Sequence, residues 1–176
     1  MLYPGQKAPA LAFDTVAHGR YELGASAVGN GTLLVFYRGG HCPICRAQLK
    51  ELDDQIGDFA IRGIEIAALS GDSRERAKET VETMQIIRLP VGYGLDIRRA
   101  RDDWGLFVST AREGTDEPRF FNEPGHFWIA GDGTVVFSVI QSLPQIRPSA
   151  NAILRAIDKI AASGAPPRGS YRGDLP

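Results

Sequence analysis

The chain has 176 residues, 43% hydrophobic and 23% charged, which suits one domain with a buried core and excludes a disordered polar chain. Lys and Arg total 20 against 21 Asp and Glu, so the net charge of -1 removes the electrostatic case for nucleic acid or an anionic membrane as main partner. No apolar run approaches the ~18–20 residues of a membrane span, and the first residues lack the basic region and apolar core of a signal peptide, so a cytoplasmic protein is expected.

From the N-terminus onward, residues 32–37 form the first continuous apolar run, ending at Gly39-Gly40, the pattern of a strand buried on both faces. Residues 43–56 read as a helix. Pro43 suits its first position, and Cys45, Leu49, Leu52 and Ile56 share one face. Residues 64–69 are a second buried strand, followed by a polar helix over 74–85 that Ser73 or Asp72 can cap. A short strand is expected near 89–93 and a helix over 97–104. Residues 110–123 are polar and read as a long loop. Residues 126–129 and 134–140 flank Gly131-Asp132-Gly133, a hairpin signal. A last helix spans 149–162, with Ile153, Leu154, Ile157 and Ile160 as its apolar stripe. The Gly, Pro and Ser of residues 163–170 open a flexible tail, 163–176, leaving a domain of 1–162. The order predicts an α/β fold: a central mixed sheet, parallel in the middle, with helices on both faces.

Both cysteines lie in His41-Cys42-Pro43-Ile44-Cys45, where a buried strand turns into a helix. Free N–H groups and the helix dipole gather positive charge there, and can bring a thiol pKa from about 8.5 to roughly 3.5–7.5. Three-residue spacing lets the two sulfurs meet across one turn and close a disulfide. Cys42, at the helix tip, is expected to be the more exposed and lower-pKa thiol. Cys45, on the apolar stripe, is expected to face inward and resolve. The bland reading is an incidental pair. Zinc usually needs paired Cys/His motifs, and His18, His41 and His126 share no ligand spacing, so no metal is expected.

Leu34-Val35-Phe36-Tyr37-Arg38-Gly39-Gly40-His41-Cys42-Pro43-Ile44-Cys45 resembles the AhpC/TSA-type, peroxiredoxin-like redoxins of the thioredoxin superfamily. Gly5 to Pro9, Ala68 to Asp72, Leu95-Asp96, Trp104-Gly105-Leu106 and Pro124 to Ile129 follow in that family's order, so the likeness covers residues 4–162. It implies a thioredoxin-like fold. It departs at the site. Peroxiredoxins place a Pro, a Thr and the peroxidatic Cys where this chain has Arg38, Cys42 and Cys45. Their later active-site Arg is absent, with Pro124 just before Phe127. Thioredoxin-like enzymes carry a cis-proline at that point, so the resemblance implies a cis bond at Pro124 lying against the cysteines. The peroxiredoxin alignment puts the attacking role on Cys45, against the positional argument for Cys42.

Arg38 either places a cation near the sulfurs or is exposed at the strand end. His41 is either a proton donor or a packing residue over the motif. His126, Trp104 and Trp128 read as core, and Asp72 and Asp96 as turn or cap residues. The combined reading is a thiol-dependent antioxidant oxidoreductase with Cys42 and Cys45 catalytic and Arg38, His41, Pro43 and Pro124 in support. It reduces peroxides or protein disulfides. It needs no organic cofactor, only an external thiol reductant such as a thioredoxin or glutathione system, and a homodimer is compatible with the family. The rival is a non-catalytic redox-sensing module that binds a protein partner according to the Cys42–Cys45 state.

Overall fold

A computed structural model describes residues 2–24 and 29–175. Five strands make the central sheet: β3 (Gly31–Phe36), β4 (Ile64–Leu69), β5 (Val91–Gly92), β8 (Gly125–Ile129) and β9 (Val135–Ile140), in the order β5-β4-β3-β8-β9. β3, β4 and β5 run parallel, while β8 pairs antiparallel with both β3 and β9. The expected mixed sheet with a parallel centre is present.

Successive residues of a strand face opposite sides, and β3 divides the core that way. Leu33 and Val35 join Leu49 and Leu52 of α1 (Pro43–Asp54) and Ile153 and Ile157 of α5 (Ala150–Ser163). Leu34 and Phe36 face the other side, with Ala100 of α4 (Ile97–Asp102), Trp104 and Phe127. There Trp104 packs 5.0 Å from Phe36 and 5.1 Å from Phe127, centroid to centroid. The core reading of Trp104 and Trp128 holds. Helices on both faces leave β3 without solvent contact, which is why its sequence shows no alternation.

α3 (Arg74–Thr83) starts at Ser73, whose hydroxyl accepts the Arg76 N–H, and α5 starts at Ser149, whose hydroxyl accepts the Ala152 N–H. Replacing Ser149 by alanine is expected to cost about 1 kcal/mol, a fall in Tm of roughly 2–4 °C at this chain length, measured by thermal unfolding.

Several boundaries differ from the sequence reading. The helix expected over 43–56 breaks at Gln55 and restarts as α2 (Ile56–Ile61). β1 (Ala12–Asp14) and β2 (Arg20–Glu22) form a separate small hairpin that the sequence did not signal. The supposed loop over 110–123 is a hairpin at both ends. β6 (Val108–Thr110) pairs antiparallel with β7 (Phe120–Asn122), and only the connection between them is irregular. Three-residue strands carry too little periodicity to read. This pair is held instead by a buried carboxylate in its turn: Glu117 accepts the Arg112 backbone N–H at 2.9 Å. After α5, Gly164 adopts a left-handed cap, and residues 165–175 contain no helix or strand. Arg172 nevertheless lies over the Tyr3 ring, 3.6 Å from its centroid.

Candidate active site

The turn from β3 into α1 is shaped by Asp72, at the end of the neighbouring strand. Its Oδ2 accepts the Gly40 N–H at 2.7 Å. Gly39 has φ +133°, and a Cβ there would sit 2.7 Å from Asp72 Oδ1, so only glycine fits this approach. Asp72 is therefore a turn residue, as expected. The Cys42 N–H then reaches Gly39 O at 3.1 Å, and the chain enters the helix with Cys42 as N-cap and Pro43 in its first turn.

Cys42 Sγ accepts the Cys45 backbone N–H at 3.3 Å, and the Cys45 thiol also donates to it. Both cysteines are free thiols. That double donation, chiefly from the Cys45 thiol, brings the Cys42 pKa down to about 6 against the opposing effect of burial. Arg38 and Arg147 add to the lowering. Cys45 moves the other way: its proton is shared with Cys42 and its sulfur is buried, so its pKa is raised, with Arg147 resisting. The expected order of acidity is present. The expected order of exposure holds only marginally, since both are buried. Cys42 is 2% exposed and Cys45 0%, and both sulfur residues belong to the α1–α5 core cluster. Pro43 and Ile44 carry the exposed side of this turn, because the N-cap side chain folds back over the first helical N–H groups rather than outward.

Arg147 was not singled out in the sequence. It lies between β9 and α5, yet its Nη2 donates to Cys45 Sγ at 3.4 Å. Its Nη1 donates to Gln48 Oε1 at 2.9 Å and its Nε to Pro144 O at 2.6 Å. Gln48 in turn donates to Pro148 O at 3.0 Å, which fixes the same loop to α1. His126 is fully buried in β8. Its Nε2 lies 3.2 Å from Gln48 Oε1, an oxygen that can only accept, so Nε2 carries the proton. Burial first, and then Arg147, push the His126 pKa down to about 3, so its ring is neutral. A contact spanning about a hundred residues of sequence leaves no local pattern to read.

Arg38 is neither exposed nor directed at a sulfur. Its side chain is 13% exposed, 3.5 Å from Glu117 and 3.3 Å from Glu123, and lies over the Phe121 ring. Its effect on Cys42 is a secondary lowering across the turn. His41 packs edge-on against Phe121 with centroids 4.9 Å apart. Burial, followed by Arg38, lowers its pKa, which matches the packing reading. Pro124 requires a correction: no cis peptide bond occurs among the described residues, so its bond to Glu123 is trans. The reason is the hydrogen-bond ladder. The Glu123 N–H donates to Phe107 O and Pro124 O accepts from the Gln141 N–H, so β7 runs extended into β8 with no reversal for a cis bond to make.

A polar cleft of about 170 Å³ opens beside the helix start, lined by Gly40, His41, Arg46, Arg76, Thr80 and Asp116 among others. Among the described residues no three His, Cys, Asp or Glu side chains group as metal ligands would.

The AhpC/TSA family profile matches residues 4–138. Two Mycobacterium tuberculosis proteins, provisionally named peroxiredoxins, are 28% identical to this chain over 106 residues. That match covers 60% of this chain and 66% of each relative's length. Among solved structures, a serine variant of peroxiredoxin 6 from Arenicola marina superposes with a TM-score of 0.79 at 19% identity, covering 99% of this chain and 82% of that one. The reduced 2-Cys peroxiredoxin of Plasmodium vivax gives 0.72 at 20% identity over 93% and 99%. Peroxidoxin BcpB of Mycobacterium tuberculosis gives 0.69 at 16% over 92% and 98%. At these identities the structures establish a shared thioredoxin-type fold.

Proposed function

The chain belongs to the AhpC/TSA family, and from that premise we propose that it is a thiol-dependent peroxidase whose Cys42–Cys45 pair cycles between dithiol and disulfide. The observation that carries this is the Cys42 sulfur at the helix cap, its pKa brought to about 6 by the donors around it. At pH 7 such a thiol is roughly nine-tenths thiolate. The Cys42 thiolate attacks one oxygen of a hydroperoxide, the O–O bond breaks, and an alcohol or water leaves after taking a proton. Cys42 becomes a sulfenic acid. The Cys45 sulfur then displaces hydroxide from it, which takes up the Cys45 proton as water, and an S–S bond forms. An external thiol, of thioredoxin or glutathione type, restores both thiols by exchange. The sulfurs carry the electrons, so neither metal nor organic cofactor is required.

Disulfide exchange is the second reading. The Cys-x-x-Cys spacing at a helix start supports it, as does a buried partner behind the lower-pKa sulfur. The trans bond at Pro124 removes its other support. The test mixes the purified chain with hydrogen peroxide or a small disulfide, coupled to a thioredoxin system, and follows NADPH. Sustained consumption with peroxide is expected. Faster turnover of the disulfide would favour exchange, and oxidation that stops after one equivalent would favour the sensing module.

A further inference from the structure

The polar cleft beside the helix start lies between α1 and α3, and its lining holds two charges that do not meet. Arg46 comes from α1 and Glu79 from α3. Neither forms an ion pair or a side-chain hydrogen bond among the described residues. Arg76, on the same cleft, differs: it lies 3.4 Å from Asp116 and 3.8 Å from Asp72. A cation and an anion held apart across one cleft suit a molecule that carries both signs. We propose that this cleft binds the amino-acid head of a glutathione-class peptide thiol, its carboxylate on Arg46 and its ammonium on Glu79, and so brings the reductant to the Cys42–Cys45 disulfide. The assignment rests on the reading of that pair as a redox couple.

Arg46 stands one turn after Cys42, about 6 Å along the helix. Helical side chains lean toward the N-terminus. The cleft that Arg46 lines is also lined by Gly40 and His41, the two residues ahead of Cys42. The guanidinium therefore serves the same end of α1 as the sulfur. In glutathione about two residues of chain, at most ~7 Å, separate the thiol from the γ-glutamyl head. That span matches the turn between Cys42 and Arg46. Arg46 is half-buried and Glu79 exposed, so a solute can reach both. Cys42 keeps the residual exposure of the pair, 2% against 0%, and is the sulfur open to attack. At about 170 Å³ the cleft takes the head of such a peptide and leaves its thiol free to reach the helix cap. A protein reductant fits this lining less well, because the core of a protein–protein contact is depleted of charge.

The chemistry is two exchanges. A glutathione thiolate attacks Cys42 of the disulfide. The glutathione–Cys42 bond forms, the Cys42–Cys45 bond breaks, and Cys45 leaves as a thiolate that takes a proton from solvent. A second glutathione thiolate attacks the glutathione sulfur of the mixed disulfide, because Cys42, with its pKa of about 6, is the better leaving group. Oxidised glutathione departs and Cys42 returns to its thiolate. Two glutathiones together lose two electrons and two protons. The protein disulfide gains the electrons, one proton stays on Cys45, and the other remains in solvent.

The experiment oxidises the pair with diamide, removes the oxidant, and follows reduction in quenched samples by mass spectrometry. The reductants are glutathione and 2-mercaptoethanol, a thiol without charge. The native rate is expected to saturate with glutathione and to rise linearly with 2-mercaptoethanol. In Arg46→Met the half-saturating glutathione concentration is expected to rise roughly tenfold, as loss of a charge-assisted contact implies, with little change in the limiting rate. Glu79→Gln gives a smaller rise in the same direction. S-methylglutathione, which cannot react, should compete with glutathione for the native chain. A native rate that stays linear in glutathione, or an Arg46→Met curve that superposes on the native one, overturns the proposal. So does a loss in Arg46→Met as large with 2-mercaptoethanol or a thioredoxin as with glutathione, since the charge would then act on the dithiol or on a protein surface. Hydrogen peroxide in place of diamide checks the peroxidase reading separately. If peroxide forms no disulfide while reduction after diamide still saturates and depends on Arg46, that reading fails and the cleft assignment stands.

Discussion

Cys42→Ser is expected to lower the rate of the first reaction with peroxide by on the order of a thousandfold or more, as removal of a nucleophile does. Cys45→Ser is expected to leave that reaction in place, stop turnover, and trap an adduct on Cys42. The two substitutions differ because the helix cap gives Cys42 two donors, the Cys45 backbone N–H at 3.3 Å and the Cys45 thiol, while Cys45 is left with a raised pKa. Serine keeps an O–H donor at position 45, so the Cys42 thiolate is expected to stay stabilised in Cys45→Ser. The sign for the native chain follows from a depressed thiol pKa. Thiolate survives as pH falls until about 6, so the peroxide rate should climb through pH 6 and flatten above about 7. Rates measured by rapid mixing from pH 4 to 9 check it. Fast, peroxide-dependent sulfenic acid at Cys45 in Cys42→Ser would reverse the order and favour the arrangement seen when the chain is aligned with peroxiredoxins.

Asp53→Ala is expected to cost about 3 kcal/mol or more in urea unfolding at neutral pH. Asp53 is 3% exposed, in the last turn of α1. Its Oδ1 accepts the backbone N–H of Arg88 at 2.6 Å and of Leu89 at 2.8 Å, and the Ile87 N–H lies 3.2 Å from both carboxylate oxygens. The Arg88 side chain returns a bond to Asp53 O at 2.7 Å. One carboxylate therefore ties the active-site helix to the segment entering β5. Its removal leaves the buried Leu89 N–H and the part-buried Ile87 and Arg88 N–H groups without their acceptor. Burial pushes the Asp53 pKa up, but these N–H groups outweigh it and hold the carboxyl below its usual range. A folded-state pKa below the unfolded one means the contribution is complete above about pH 4 and lost as pH falls through the folded value. The gap between native and variant stability should therefore shrink in acid. Asp53→Asn, which keeps one acceptor oxygen, should cost less. A loss under about 1 kcal/mol for Asp53→Ala would mean that the three donors find other partners.

The sheet and the dithiol were legible in the chain alone. Residues 64–69 read as a strand and are β4, because a parallel strand covered on both faces is apolar nearly throughout, with Glu65 as its one charged, half-buried position. Ser73 could be read as a cap, and is one, because capping is a local hydrogen bond, complete within four residues. The inequality of Cys42 and Cys45 could be read for the same reason: a helix cap and a helix interior are three residues apart in any context. What surrounds the two sulfurs was set by folding. Arg147 reaches Cys45 across 102 positions, and Glu117 reaches Arg38 across 79, through loops with no period of their own. The burial of Cys42 and the trans bond at Pro124 are likewise set by the ladder and the packing on either side. Hydrogen bonds within a turn leave a pattern in the chain, whereas a charge brought to a sulfur by the closing of a loop depends on distances that only the folded core imposes.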